Sequence, residues 1–205
     1  MLMNNPFKTV FVGASTTGKT TIARRLLIRK FIPHSDCTIG ASFLRYTSDE
    51  KVEYEIWDTA GQERFNSLMP MYFKGAKIMV FVFDVSSMST INDFEKYVKI
   101  IYDDENLKVL IVGNKTDLIT EEELRRVEIY TKDKINNFGM GERVFDFIFV
   151  STKTGANFNI FKKILDNCSR TIKNNTKLIV ETDKSILLGE GENKNIIESK
   201  KCSCK

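Results

Sequence analysis

The sequence predicts a doubly wound α/β fold: a mostly parallel, six-stranded sheet with one antiparallel strand, covered by helices. Three observations carry this expectation. Strand-like apolar segments and amphipathic helical segments alternate along most of the chain. Ile78–Phe83 is apolar at every position, as expected of a parallel strand covered on both faces. The first strand, Val10–Val12, runs through a glycine-bearing turn directly into a helix, the kind of junction where open α/β sheets place their ligand loops.

The elements follow in order. After Val10–Val12, a helix over Thr21–Lys30 puts Ile22, Leu26 and Leu27 on one face. A polar loop, Phe31 to Gly40, leads to Phe43–Thr47 and Val52–Trp57. Asp49-Glu50-Lys51 splits these two segments, which makes them a hairpin and supplies the antiparallel strand. A loop and short helix fill Ala60–Gly75, and Ile78–Phe83 is the next strand. Ile91, Phe94, Val98 and Ile101 space out as one helix face before the strand Val109–Val112. Leu124–Asn136 is helical but weakly periodic, and Phe147–Val150 is the last strand. Phe158, Phe161, Leu165, Cys168 and Ile172 then alternate steps of three and four, the cleanest helical signal in the chain. From about Asn174 the pattern dissolves into Lys, Asn, Glu and Gly, so the expected organisation is a domain over 1–173 and a flexible tail over 174–205.

Composition excludes several classes of function. The 31 basic and 27 acidic residues leave a net charge of +4, and no basic run exceeds two residues, so nucleic acid is not an expected partner. No apolar run approaches the length of a membrane span, and the first residues lack the regions of a signal peptide. Leu2 stands where myristoylation requires glycine. The four cysteines, Cys37, Cys168, Cys202 and Cys204, form neither a disulfide framework nor a zinc pattern. That suits a reducing cytosol; Cys37 and Cys168 read as structural, while Cys202 and Cys204 sit where lipid is attached.

The chemistry starts at Gly13–Thr20, which matches GxxxxGK[ST] between a strand and a helix. The glycines let the backbone curl so that successive N–H groups face a polyphosphate, and the helix adds its positive end to the same place. Ser15, Thr16, Thr17, Gly18, Lys19, Thr20 and Thr21 are the phosphate-binding candidates. Among them Lys19 supplies a point charge and the Thr20 hydroxyl a Mg²⁺ ligand. Asp58-Thr59-Ala60-Gly61 ends the hairpin: Asp58 can hold Mg²⁺ through a water, Gly61 can offer its N–H to a γ-phosphate, and Gln62 can orient an attacking water. In Asn114-Lys115-Thr116-Asp117, the Asp117 carboxylate can accept the N1–H and 2-amino group of guanine. Asn114 ties the loop together and reaches the base, and the Lys115 stem lies along the base's face. Ser151-Thr152-Lys153 offers backbone N–H groups to the guanine oxygen.

Gly13–Thr20, Thr38, Trp57–Gln62, Asn114–Asp117 and Ser151–Lys153 stand in the order of the five nucleotide-binding motifs of the Ras superfamily of small GTPases. The chain resembles that superfamily over about residues 7–172. Ile39–Phe43, Trp57–Phe65, Tyr72–Ala76 and Cys202-Ser203-Cys204 resemble the Rab family. Thr38–Ala41 and Ser67–Tyr72 lean towards its early-endosomal branch.

The resemblance implies the P-loop small GTPase fold and slow hydrolysis of GTP, with GTP or GDP and Mg²⁺ bound, and Lys19 and Gln62 as the catalytic residues. Thr38 would ligate Mg²⁺ beside Thr20 and Asp58, Phe31 would lie against guanine, and the loops of Thr38 and Gln62 would be switches. Phe43, Trp57 and Tyr72 match the aromatic triad by which Rab proteins read effectors; ordinary sheet packing is the competing account of the same three residues. The implied partners are an exchange factor, a GTPase-activating protein (GAP), a GDP-dissociation inhibitor or escort protein, and GTP-dependent effectors. The implied state is a monomer, cytoplasmic and cycling onto the cytosolic face of intracellular, notably endosomal, membranes.

Four departures from the family pattern stand out: Thr16 in place of a small residue, Ser35 in place of an aromatic lid, Thr152 in place of alanine, and a surface insertion near Asn136–Arg143. His34 reads as a switch-loop residue. At the C-terminus, Cys202-Ser203-Cys204-Lys205 can be read as a CaaX box or as a doubly prenylated Cys-x-Cys pair. Residues 173–205 hold seven Lys against five Asp and Glu, a weak attraction to anionic lipid. One chain alone anchors only marginally, which favours two. Two other functions remain open on the sequence: a P-loop kinase or ATPase, which has no use for Asn114–Asp117, and a constitutively GTP-bound binding module whose hydrolysis is vestigial.

Overall fold

A computed structural model describes residues 5–33, 37–62 and 67–189, with side chains to residue 175. Six strands form one sheet: β1 (Phe7–Val12), β2 (Ala41–Thr47), β3 (Glu53–Thr59), β4 (Ile78–Asp84), β5 (Lys108–Asn114) and β6 (Val144–Phe149). Their order is β2-β3-β1-β4-β5-β6, and every neighbouring pair is parallel except β2 with β3. The expected sheet is therefore present, including its single antiparallel strand.

β1 lies between β3 and β4, so the chain winds to one side of it and then to the other. The crevice beyond its C-terminal end is where such sheets bind ligands. All seven residues of β4 are buried, which is why that segment carries no polar alternation.

The helices are α1 (Lys19–Ile28), α2 (Met69–Phe73), α3 (Glu95–Asp103), α4 (Glu121–Asn137) and α5 (Phe158–Gly189). The face of Ile91, Phe94, Val98 and Ile101 is shared between a 3₁₀ turn, Met88–Phe94, and α3. Ile91, Phe94 and Ile101 are fully buried against β4 and β5 side chains. The weak periodicity of α4 is offset by a capping box: Glu123 N–H donates to Thr120 Oγ1 at 3.3 Å, and Thr120 N–H donates to the Glu123 carboxylate at 2.8 Å.

The segment 136–143 lies largely at the surface, with Asn136, Asn137, Gly139, Gly141 and Glu142 exposed, and one residue of it turns in. Met140 is fully buried in the main core, and the Arg143 guanidinium donates to Ile101 O and Asp104 O (3.1 Å to the latter), satisfying carbonyls at the end of α3. The chain reversal at Gly139, φ +70°, precedes the one residue that faces inward, Met140.

The stretch after 173 is helical over its described residues. The chain divides into units Met1–Arg170 and Thr171–Lys205, and the helix continues within the second unit to Gly189. No Gly or Pro stands between Phe158 and Leu188, so loss of a clean apolar period there does not end the helix. In the first unit, Phe158, Phe161, Leu165 and Cys168 are buried as their spacing predicts.

Candidate nucleotide-binding site

The turn after β1 is shaped by two glycines. Gly13 has φ +132°, and a Cβ there would lie 2.0 Å from Val82 O, so only glycine lets the turn cross β4 this closely. Gly18 has φ +96° and caps α1 without a side-chain bond, leaving the first-turn N–H groups of α1 for an anion. Thr16 adopts φ +65°, a rare conformation for a β-branched residue and a local strain of about 1–3 kcal/mol. Thr17 is buried, and its hydroxyl donates to Ala14 O at 3.0 Å. Thr17 therefore braces the loop with its side chain, and only its N–H is left for a phosphate.

Lys19 is buried, and its ammonium donates to Gly13 O at 2.8 Å and Ala14 O at 2.7 Å. Burial lowers its pKa to about 8, with the Asp58 charge opposing that shift. A cavity of about 390 Å³ opens here, lined by Ser15, Lys19, Thr20, Thr38, Gly61 and Gln62 among others. Gly61 packs on the loop itself: a Cβ on it would lie 2.4 Å from Ser15 N.

Three residues from separate elements meet beside Lys19. The Thr20 hydroxyl donates to Asp58 Oδ2 at 2.6 Å, Thr38 Oγ1 lies 3.0 Å from Thr20 Oγ1, and Thr38 Oγ1 donates to Asp58 Oδ2 at 3.4 Å. Asp58 is fully buried, its Oδ1 has no protein partner, and burial holds its pKa above the ordinary range despite the Thr20 bond and the Lys19 charge. An unpartnered buried carboxylate oxygen next to two hydroxyls is an all-oxygen donor set of the kind Mg²⁺ takes. The residues fit that cation.

A second cavity of about 240 Å³ adjoins the first and shares Thr16, Gly18, Thr21 and Pro33 with it. Its remaining lining includes Phe31, Asn114, Lys115, Asp117, Thr152 and Lys153. Asn114 is the knot of this region. Its Nδ2 donates to Thr17 O at 2.9 Å, and its Oδ1 accepts from Thr152 N at 3.1 Å and Thr152 Oγ1 at 2.6 Å. Asn114 thus joins three loops, and its side-chain groups are committed to that task. Asp117 Oδ1 accepts from Ser151 Oγ at 2.5 Å, which fixes the carboxylate at the cavity wall.

Sequence reasoning missed four residues of the site. Asp84 pairs in register with Asn114, and its Oδ2 accepts from Lys115 Nζ at 2.6 Å. Burial raises the Asp84 pKa, but the bonds from Lys115 and Ser86 outweigh it and leave the carboxyl below its ordinary range. Pro33 and Leu118 line the base cavity. Cys37, expected to be structural, is exposed and lines the phosphate cavity, whereas Cys168 is buried as expected. A strand-end acid beside the Asn114 loop was the available signal for Asp84.

The three aromatic residues are contiguous. Phe43 pairs across β2–β3 with Trp57, their rings 5.4 Å apart, and Trp57 lies 5.9 Å from Tyr72. Tyr72 is 5% exposed and Phe43 45%, so sheet packing accounts for Tyr72 while Phe43 presents a surface. Ile39 and Met71, which flank the triad in sequence, are exposed as well. The expectations for His34, Ser35, Phe65, Cys202 and Cys204 lie outside the described residues.

Comparison with known proteins agrees with this geometry. The model of the Ras family matches residues 8–174. The ras-related protein Rab-5B of Dictyostelium discoideum is 36% identical over 173 residues, covering 82% of this chain and 76% of the relative. The chain belongs to the Ras family, as a Rab-like small GTPase that hydrolyses GTP.

Proposed function

We propose that the protein is a GTP- and Mg²⁺-dependent switch that hydrolyses GTP slowly and recruits effectors to endocytic membranes. The observation that carries this reading is the convergence of Thr20, Thr38 and Asp58. The metal ligands of the phosphate helix, the Thr38 loop and the end of β3 already bond to one another, so what binds one of them acts on the others.

Thr20, Thr38 and Asp58 would hold Mg²⁺, which when bound neutralises charge on the β- and γ-phosphates. Lys19 gives up its bonds to Gly13 O and Ala14 O for phosphate oxygens. The free N–H groups at the start of α1 hold the same oxygens, and Gln62, on the cavity wall, orients the attacking water. Asp117 accepts from the N1–H and 2-amino group of guanine. No arginine lines the phosphate cavity among the described residues, so rapid turnover calls on a GAP, a class of partner that accelerates related enzymes by about 10³–10⁵. The exposed apolar residues around Phe43 are the effector surface, and prenyl chains on Cys202 and Cys204 are the anchor. An exchange factor and a GDP-dissociation inhibitor complete the cycle of a monomer between cytosol and membrane.

The experiment is localisation of tagged full-length protein against an endocytosed tracer, comparing Gln62→Leu with Thr20→Asn. Gln62→Leu should gather on tracer-positive membranes and Thr20→Asn in the cytosol. The same distribution for both variants would refute a nucleotide-controlled membrane role.

A further inference from the structure

Arg25 is on α1, away from both cavities of the nucleotide site, yet it reaches the loop after β6. Its guanidinium donates to the backbone carbonyls of Thr152 and Lys153, the latter at 3.3 Å. The guanidinium carbon lies 5.3 Å from the centroid of the Phe158 ring. On another side stands Gly155, φ +92°, so close that a Cβ there would be 2.5 Å from the guanidinium. The group is therefore held by a ring, two carbonyls and a glycine that leaves it room. It lines a small separate opening of about 190 Å³ that it shares with Gly155, Phe158 and Lys162.

The consequence falls on one peptide unit. Ser151 N–H donates to Ala156 O at 3.1 Å, Thr152 N–H to Asn114 Oδ1 at 3.1 Å, and Thr154 N–H to Ser151 Oγ at 3.0 Å. Of the N–H groups of residues 151–154, that of Lys153 is the one outside these bonds. Thr152 C=O and Lys153 N–H belong to the same planar trans peptide and point in opposite directions. A guanidinium that holds the Thr152 oxygen therefore turns the Lys153 N–H away from itself. Thr152 and Lys153 line the base cavity, and Arg25 does not.

We propose that Arg25 is a positioning residue for base recognition: by holding Thr152 O it aims the Lys153 N–H at the carbonyl oxygen on C6 of the purine. The charge-assisted bond also polarises the amide, which strengthens the donor at its other end. This inference rests on the guanine reading of the site, and its test separates the two.

Dissociation constants for GDP, 6-thioguanosine diphosphate and inosine diphosphate are to be measured with the full chain as wild type, Arg25→Met and Arg25→Lys. The thio analogue keeps both donors that Asp117 takes but replaces the C6 oxygen by a weaker acceptor. Inosine diphosphate keeps the oxygen and lacks the 2-amino group. Wild type should disfavour both analogues. Arg25→Met should lose most of its preference for GDP over the thio analogue, a change on the order of tenfold for one hydrogen bond. Its preference over inosine diphosphate should stay within about twofold of wild type, since Asp117 is held by Ser151. Arg25→Lys, able to hold one carbonyl, should recover part of the loss. An unchanged thio preference in both variants, or an equal loss of both preferences, overturns the positioning role. A wild type that prefers GDP over neither analogue would remove the guanine reading and this inference with it.

Discussion

Gly61→Ala is a change of one methyl group whose consequence can be worked from the backbone. The new Cβ would stand 2.4 Å from Ser15 N, 2.5 Å from Ala14 C and 2.6 Å from Ala14 O, all main-chain atoms that no rotamer change can move. Reaching ordinary contact at 3.4 Å needs the Gly61 segment and the phosphate loop to part by about 1 Å. A misplacement of that size at a reacting centre costs on the order of 10²-fold in rate. Gly61 leads directly into Gln62, and both line the phosphate cavity, so the loss should appear in hydrolysis. GDP is held by the far part of the loop, Thr16 to Thr20, and should dissociate within about tenfold of the wild-type rate. The assay is single-turnover hydrolysis of preloaded GTP, beside GDP release from the same preparation. Gly75→Ala is the control. Gly75 has φ +73° and nothing within 4 Å of a Cβ, so that variant costs backbone strain without a collision and should hydrolyse GTP normally. Hydrolysis by Gly61→Ala within about threefold of wild type would refute the argument that this contact sets the catalytic geometry.

Other outcomes follow from the same structure. Asp117→Asn keeps a carbonyl to accept from Ser151 Oγ and should fold, but GDP affinity should fall by roughly 10⁴-fold and xanthosine diphosphate should bind better; equal GDP binding by mutant and wild type would remove the base assignment. Gln62→Leu should leave GTP affinity intact and slow intrinsic single-turnover hydrolysis, and an unchanged rate would show that another group guides the water. Cys37, exposed on the phosphate cavity, should be alkylated ahead of buried Cys168 in peptide-level mass spectrometry and protected by bound nucleotide; identical Cys37 labelling with and without nucleotide would contradict its placement. Burial pushes the Cys168 thiol from 9.0 up to about 12, so the unfolded chain gives up its proton first as pH passes 9. The stability this thiol contributes is then lost between about pH 9 and 12, and urea titrations should show that Cys168→Ala flattens that part of the pH profile.

The sequence discloses this site to the extent that its chemistry is local. A phosphate cradle must be made of consecutive N–H groups, so Gly13–Thr20 had to be contiguous, and a carboxylate that reads guanine had to follow a buried strand closely, as Asp117 does. What stayed hidden is whatever depends on which strand or helix lies alongside. Lys115 was legible as a base-facing stem, but its anchor Asp84 is thirty-one positions away and comes beside it only because β4 and β5 pair with Asp84 opposite Asn114. Arg25 reads as one more charge on an amphipathic helix until the loop after β6 is laid against it. Met140 sits between two glycines, where composition suggests an exposed turn, and only its place in the main core shows that it is buried. The continuation of α5 past residue 173 is the opposite case. A fading apolar period marks where a helix stops burying one face, whereas ending a helix takes a residue that opposes its backbone. Periodicity therefore reports packing, breakers report termination, and the supporting residues of a site follow neither, because they are selected by contacts across the fold.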